Sequence, residues 1–266
     1  MNKQKIKIRQ HAGLLVLALF FVAISHELFA WGGIEHDAIT YIAECNLKPA
    51  AKKRIESYLG GRSIVYYASW MDFVRKTPEF LFSDSWHMSC VDENFKYVDA
   101  PDKERLRCVP ALEEAIQKLE NYKALDDSTV AVCLKFLIHL TADMHCPSHV
   151  AYTDRVIGFS VKYNNAEVSY HSVWDSYMLR SAHAWSYSEY QHQLDRCSAK
   201  EKQQIVQGTP REWFAQTAKD CAVIYDWAKA GDTLGVDFTN EARCLGESQL
   251  LKAGYRMAYL LNKLFG

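Results

Sequence analysis

Glycine and proline are scarce, with 12 and 6 in 266 residues. That scarcity, with 13% aromatics, excludes a collagen-like, low-complexity or disordered chain. A surplus of either charge sign is also missing. Lys plus Arg number 31 against 32 Asp plus Glu, a formal charge of −1, which excludes nucleic-acid affinity by a bulk positive field. The apolar run Ala12 to Ile24 holds 13 residues, short of the roughly 17–25 that a membrane span needs. No cysteine stands directly after that run, between Ser25 and Ala30, so a lipoprotein anchor is unsupported. Neither an internal repeat nor a Pro/Ser/Gly-rich linker is visible.

The N-terminus reads instead as a secretory signal over residues 1–30. Lys3, Lys5, Lys7 and Arg9 form a basic stretch, the apolar run follows, and Ala30 is the small residue before cleavage. The remainder, 31–266, carries all eight cysteines. An even count in an exported chain favours disulfides. Cys90 and Cys108 bracket a polar loop and are the first candidates for a pair. Cys133 and Cys146, in apolar helical segments, read equally well as free buried thiols. Secretion or a periplasmic location is the expectation, with no stable membrane anchor after cleavage.

Helical periodicity dominates 31–266. Apolar stripes predict helices over Ile34 to Leu47, Ile64 to Val74, from Pro110 through Tyr122, Trp213 to Trp227 and Ser248 to Phe265. Asp127 and Ser128 cap a long run through Ala142, which Pro147 should end. Gly60-Gly61 marks a turn between helices, and 156–170 looks extended, as a hairpin around Asn164-Asn165. The fold class is therefore mainly α: a single multi-helix domain with short irregular or hairpin insertions.

Residues four apart share a helix face. His139 and Asp143 thus sit side by side, as do His171 and Asp175. His149 follows Asp143 past a helix-breaking proline and returns a third imidazole to the same neighbourhood. Zinc accepts such mixed His/Asp sets, and closely spaced metals sharing a carboxylate suit in-line displacement at phosphorus.

Around these pairs stand Trp-Gly-Gly-x-x-His (Trp31 to His36), Ala-Ser-Trp-Met-Asp-x-x-Arg (Ala68 to Arg75), Trp86-His87, the stretch Lys135 to His149 and His-Ser-x-Trp-Asp-Ser-Tyr-Met (His171 to Met178). In these motifs the chain resembles the zinc-dependent, single-strand-specific nucleases of fungi and plants (S1/P1 type), relatives of bacterial zinc phospholipase C. The resemblance implies a compact helical nuclease-like domain and three zinc ions. Asp72, His87, His139 and Asp143 would hold one ion. The α-amine and carbonyl of Trp31, with His36 and a bridging Asp143, would hold the second. His149, His171 and Asp175 would hold the third. A peptide nitrogen has no lone pair to give a metal, whereas a liberated α-amine has one, so signal cleavage before Trp31 becomes a chemical requirement.

By the same resemblance, hydroxide held between two zincs attacks phosphorus in single-stranded DNA or RNA and leaves 5′-phosphorylated products, with 3′-nucleotidase activity as a companion. Asp72 would orient or deprotonate the nucleophile, Asp143 would bridge, the third zinc would steady the departing 3′-oxygen, and Arg75 would grip a non-bridging phosphate oxygen through its planar fork. His145 reads as a supporting or core histidine, His183 and His192 as surface residues, and Trp70, Trp86 and Trp174 as packing behind the site.

The chain departs from the family in places. Cys146 stands where the family has Gln, Met88-Ser89-Cys90 lacks the Tyr and downstream Asp that help hold a base, and Arg155 to Phe159 replaces a Gly-Gly-Asn turn. Two other readings therefore stand beside the nuclease: a zinc phospholipase C-like lipid hydrolase, and a metal-stabilised binding protein without turnover.

Overall fold

The computed structural model describes residues 31–100 and 105–266; the signal-like segment 1–30 lies outside the described residues. The chain opens with α1 (Gly33–Cys45) and α2 (Pro49–Tyr58). Gly60 and Gly61, at φ 65° and 76°, make the turn that follows, in the left-handed region where glycine carries no Cβ penalty. The stripe from Ile64 to Val74 is not one helix. Ser63 caps a 3-10 turn, Ile64–Tyr67, by accepting the Val65 N–H, and the chain restarts at α3 (Trp70–Val74) after Ser69 leaves helical geometry. Asp72 lies in this short helix and Arg75 at its end.

Strands β1 (Ser89–Val91) and β2 (Tyr97–Val98) pair antiparallel. Helix α4 (Cys108–Glu120) carries Pro110 in its first turn, where a missing N–H costs nothing. Helix α5 (Asp127–Asp143) is capped by Asp126, not by Asp127 or Ser128, because Asp126 has extended backbone and its Oδ1 accepts the Thr129 N–H at 2.9 Å. It ends at Asp143, and Pro147 opens the 3-10 turn Pro147–His149. Strand β3 (Val150–Tyr152) then pairs parallel with β1 in the register Ser89↔Val150. This pairing brings His87, two residues before Ser89, and His149, one before Val150, to the same end of the sheet.

The expected hairpin is present as β4 (Ser160–Tyr163) and β5 (Ala166–Ser169), with Asn164 and Asn165 at φ 49° and 64°. The helical stretch α6 (Tyr170–Ser172) passes into a π-helical turn, Val173–Tyr177, and on into α7 (Met178–Ala182). Then come α8 (Tyr187–Leu194), α9 (Ala199–Ile205), α10 (Pro210–Cys221) and α11 (Ile224–Trp227). The run expected from Trp213 to Trp227 is thus two helices. Strand β6 (Thr233–Leu234) adds parallel to β4, and the terminal helix α12 runs from Val236–Phe265, longer at its N-terminal end than its apolar stripe suggests.

Helices α1, α5 and α12 enclose the core. Ile39 and Ile42, Leu134, Leu137 and Ile138, and Leu250, Met257 and Leu261 are fully buried. Each such side chain stabilises the fold by about 1.5–3 kcal/mol. Helix α12 crosses α1 closely at Gly254, where a Cβ would strike Ile42. The architecture is mainly α with few small strands, as expected. Among the described residues no helix is long and apolar enough to cross a membrane.

The expected Cys90–Cys108 disulfide is not formed. Cys90 lies on β1, whereas the Cys108 Sγ, in the first turn of α4, donates to the Leu140 carbonyl of α5 at 3.4 Å. All eight cysteines are free thiols.

Candidate metal centre

The C-terminal turn of α5 supplies His139 and Asp143, four apart and fully buried. The His139 Nδ1 donates to the Ala68 carbonyl at 2.9 Å, the partner that fixes the tautomer with a lone pair on Nε2. That Nε2 lies 3.1 Å from Asp143 Oδ2 and 3.8 Å from Asp72 Oδ1. His87 Nδ1 reaches the same Asp143 Oδ2 at 2.7 Å and Asp72 Oδ1 at 3.9 Å. Asp72, His87, His139 and Asp143 therefore converge.

The second oxygen of Asp143 faces elsewhere. Oδ1 lies 3.4 Å from His36 Nε2 and 3.4 Å from His149 Nδ1. His36 comes from the first turn of α1, and its ring stacks on His139 with centroids 4.2 Å apart. Trp31 is pinned beside it: its Nε1 donates to the Ala142 carbonyl at 3.0 Å, and the next N–H, of Gly32, donates to the Asp175 carbonyl at 2.6 Å. A side chain at Gly32 would displace the ends of the Glu35 and Arg180 side chains.

His149 Nε2 lies 3.2 Å from Asp175 Oδ1, and His171 Nε2 lies 3.8 Å from Asp175 Oδ2. Asp175 sits in the π turn, a local distortion frequent at functional sites. All nine residues singled out in the sequence as ligands thus gather around the end of α5. Among the described residues three groups of mutually close donors stand there: His36, His139 and Asp143; Asp72, His87 and His139; and Cys146, His149 and Asp175, the last with a cysteine that was not among the nine and without Trp31 or His171 in any group.

The donor set fits divalent metal. His36 Nδ1 and Nε2, Asp72 Oδ1, His87 Nε2, Asp143 Oδ1 and His149 Nδ1 are buried without a hydrogen-bond partner. Buried polar atoms left unmet cost about 1–3 kcal/mol each, and a chain does not assemble six in one place without something to satisfy them. The electrostatics divide the histidines: against burial, Asp143 and Asp72 raise His139 to about 9, and Asp143 and Asp175 raise His149 to about 10, so a metal there would displace a proton from each. Burial opposes its ionisation, but His139 and His149 hold the Asp143 carboxyl well below the usual carboxylate range. Burial and the neighbouring His139 push His36 down, towards the neutral imidazole that metals bind. Burial likewise pushes His171 down to about 4, against the pull of Asp175.

Arg75 lies beside this cluster, its Nη1 3.0 Å from Asp84 Oδ1 and its Nε 3.9 Å from Asp72 Oδ1. His145 stands outside the donor set: its Nδ1 donates to the Thr141 carbonyl at 2.8 Å and its Nε2 accepts from Arg256 at 2.8 Å. His192 is exposed, but His183 is half-buried, stacked on Trp185 and 2.9 Å from Glu247. Trp174 is buried and stacks on Trp227, while Trp70 and Trp86 pack against Phe136.

Two residues near the site were not anticipated as participants. Cys146 approaches Asp175, and Glu35 is buried with no hydrogen bond to Oε2, the Arg180 guanidinium lying 3.8 Å away. Burial raises the Glu35 carboxyl to about 7, although Arg180 pulls the other way. A cysteine at a position where the resembling family has glutamine was a visible signal for the first; nothing in the pattern marked the second.

Comparison with known proteins follows the same lines. The profile described as S1/P1 Nuclease matches residues 31–266. Endonuclease 3 of Arabidopsis thaliana is 24% identical over 278 residues, covering 94% of each chain. Nuclease P1 of Penicillium citrinum is 26% identical over 275 residues, covering 89% of this chain and 98% of its own, and Nuclease S1 of Aspergillus oryzae is 22% identical over 286 residues. A match over the whole described region and a buried His/Asp cluster able to hold metal lead to one statement: the chain belongs to the S1/P1 nuclease family of hydrolytic nucleases.

Proposed function

We propose that the chain, once freed of residues 1–30, is a secreted or periplasmic trinuclear-zinc phosphodiesterase. Its substrates are single-stranded DNA and RNA, its products carry 5′-phosphates, and 3′-nucleotides are a second substrate class. The observation that carries this reading is the set of buried, unpartnered histidine and aspartate atoms around Asp143. Asp72, His87, His139 and Asp143 would hold one ion; Trp31, His36 and Asp143 a second; His149, His171 and Asp175 a third. Bound there, zinc supplies Lewis acidity toward phosphoryl oxygens and a nucleophile at neutral pH.

The chain's own residues do the rest. Asp72, at the rim of the cluster and 8% exposed, orients the attacking water and takes its proton on a carboxylate oxygen. Asp143, at 0% exposure, bridges rather than exchanges protons with solvent. Arg75 offers a planar fork to a non-bridging phosphate oxygen, with Asp84 holding its Nη1 at 3.0 Å. Single-strand selectivity fits aromatic faces beside the cluster. Phe73, next to Asp72, is 74% exposed, and Phe82, Trp86 and Phe136 line a cavity of about 270 Å³. Unpaired bases can stack on such rings, whereas paired bases cannot reach them.

The test is digestion of single-stranded DNA and of a phosphatidylcholine emulsion, each with and without chelator. Cleavage of the DNA, stopped by chelator and restored by zinc, is the expected result. Lipid cleavage without DNA cleavage would overturn the substrate assignment. Full zinc occupancy with neither activity would mean a binding protein.

A further inference from the structure

We infer that Cys146 is a sulfur ligand of the third metal site, so that this site is a Cys146–His149–His171–Asp175 set. This inference rests on the metallonuclease reading above and adds a donor of different chemistry to it.

Cys146 lies in the connector between Asp143 and the Pro147 turn, with no exposed surface. Its Sγ is 3.5 Å from Asp175 Oδ1, and His149 Nε2 is 3.2 Å from the same oxygen. The donor atoms of Cys146, His149 and Asp175 lie within 4.8 Å of one another. Zinc–sulfur bonds of about 2.3 Å and zinc–oxygen or zinc–nitrogen bonds of about 2.0 Å give tetrahedral edges of roughly 3.5 Å for S–O and 3.3 Å for N–O. The two separations match those edges, and the same sulfur shares a hydrogen bond of 3.2 Å with Ser148 Oγ. The sulfur is therefore set at ligand spacing before any ion arrives. Among the described residues no other cysteine joins such a group, and Cys45 and Cys244 are exposed.

His171 faces the second oxygen of Asp175 and retains 15% side-chain exposure, so the open side of the site is at His171 and the sulfur is at its closed end. As the metal–sulfur bond forms, the thiol proton passes to solvent, and no oxidation is involved. Thiolate and carboxylate together would neutralise a divalent ion. A soft sulfur donor also shifts the site's preference toward zinc and cadmium and away from manganese and magnesium.

The test uses residues 31–266, stripped of metal and titrated with Co²⁺. Loading of three ions should bring a sulfur-to-cobalt charge-transfer band in the near ultraviolet. Cys146→Ser and Cys146→Ala should lose that band, and a Cys45→Ser/Cys244→Ser double variant should keep it. X-ray absorption of the zinc-loaded wild type should show a sulfur scatterer at about 2.3 Å, which settles the matter even if the Cys146 variants fail to fold. Full loading without a sulfur signal, or a band that survives Cys146→Ser, overturns the inference and leaves the nuclease reading intact. Absence of single-stranded DNA cleavage in a fully loaded protein with the band would overturn the nuclease reading and leave the sulfur ligand standing. A chain that binds no ion overturns both.

Discussion

Arg256 donates to His145 Nε2 at 2.8 Å, and this bond removes the histidine from the ligand set. With Nδ1 committed to Thr141, both ring nitrogens are spent. The guanidinium also serves the Ile205 carbonyl and Gln216, all within the core. Arg256→Leu would strand these acceptors. A loss of about 3 kcal/mol is expected, read as a lower urea midpoint with unchanged slope. No loss would show that His145 is held by its own helix alone.

Asp143 turns one oxygen toward His87 and His139 and the other toward His36 and His149. Asp143→Ala is expected to remove two of three bound zincs together while the His171–Asp175 ion stays. Metal analysis after gel filtration reads this directly, and three retained zincs would refute the bridge.

Glu35 gives the metal-free chain a pH signature. Its carboxyl, ordinarily near 4.5, is raised by burial to about 7, so the folded state holds a proton that the unfolded state has lost between those values. Stability from this group therefore falls as pH rises from about 4.5 to 7 and levels off above. Glu35→Gln, compared with wild type in chelator, should be nearly neutral at pH 4 and more stable by about 3 kcal/mol at pH 8. An equal difference at both pH values would contradict the raised carboxyl.

Arg75→Ala should leave far-ultraviolet circular dichroism and zinc content unchanged. It should lower kcat on single-stranded DNA by about 10²–10³, the usual cost of deleting one donor to developing transition-state charge. An unaffected kcat with a raised KM would make Arg75 a binding residue only.

One extra residue left before Trp31 should lower zinc occupancy from three ions to two and abolish turnover, because an amide nitrogen replaces the amine donor. Normal zinc content in the extended protein would sink the terminal-amine assignment.

Helix spacing puts His139 beside Asp143, and the π turn still keeps His171 near Asp175, whereas Trp31, His36, Asp72 and His87 entered the candidate site only through the family resemblance. The fold was legible where one stripe made one helix, as at α1 and α5. It was less so where backbone chemistry intervened: Ser63 started a 3-10 turn inside the Ile64 to Val74 stripe, and Asp126 took the cap from its neighbours. The parallel β1–β3 pairing, with three residues a side, is too short to leave a pattern. The Arg256–His145 bond joins positions 111 apart, and no local rule reaches that far.

The close crossing of α12 over α1 at Gly254 has a bearing on biosynthesis. The first candidate ligands, Trp31 and His36, lie near the start of the described residues, yet the last helix packs against the helix that carries His36. A ribosome therefore releases every donor before it releases the element that clamps them together. The donors are therefore brought together only after the last helix has left the ribosome.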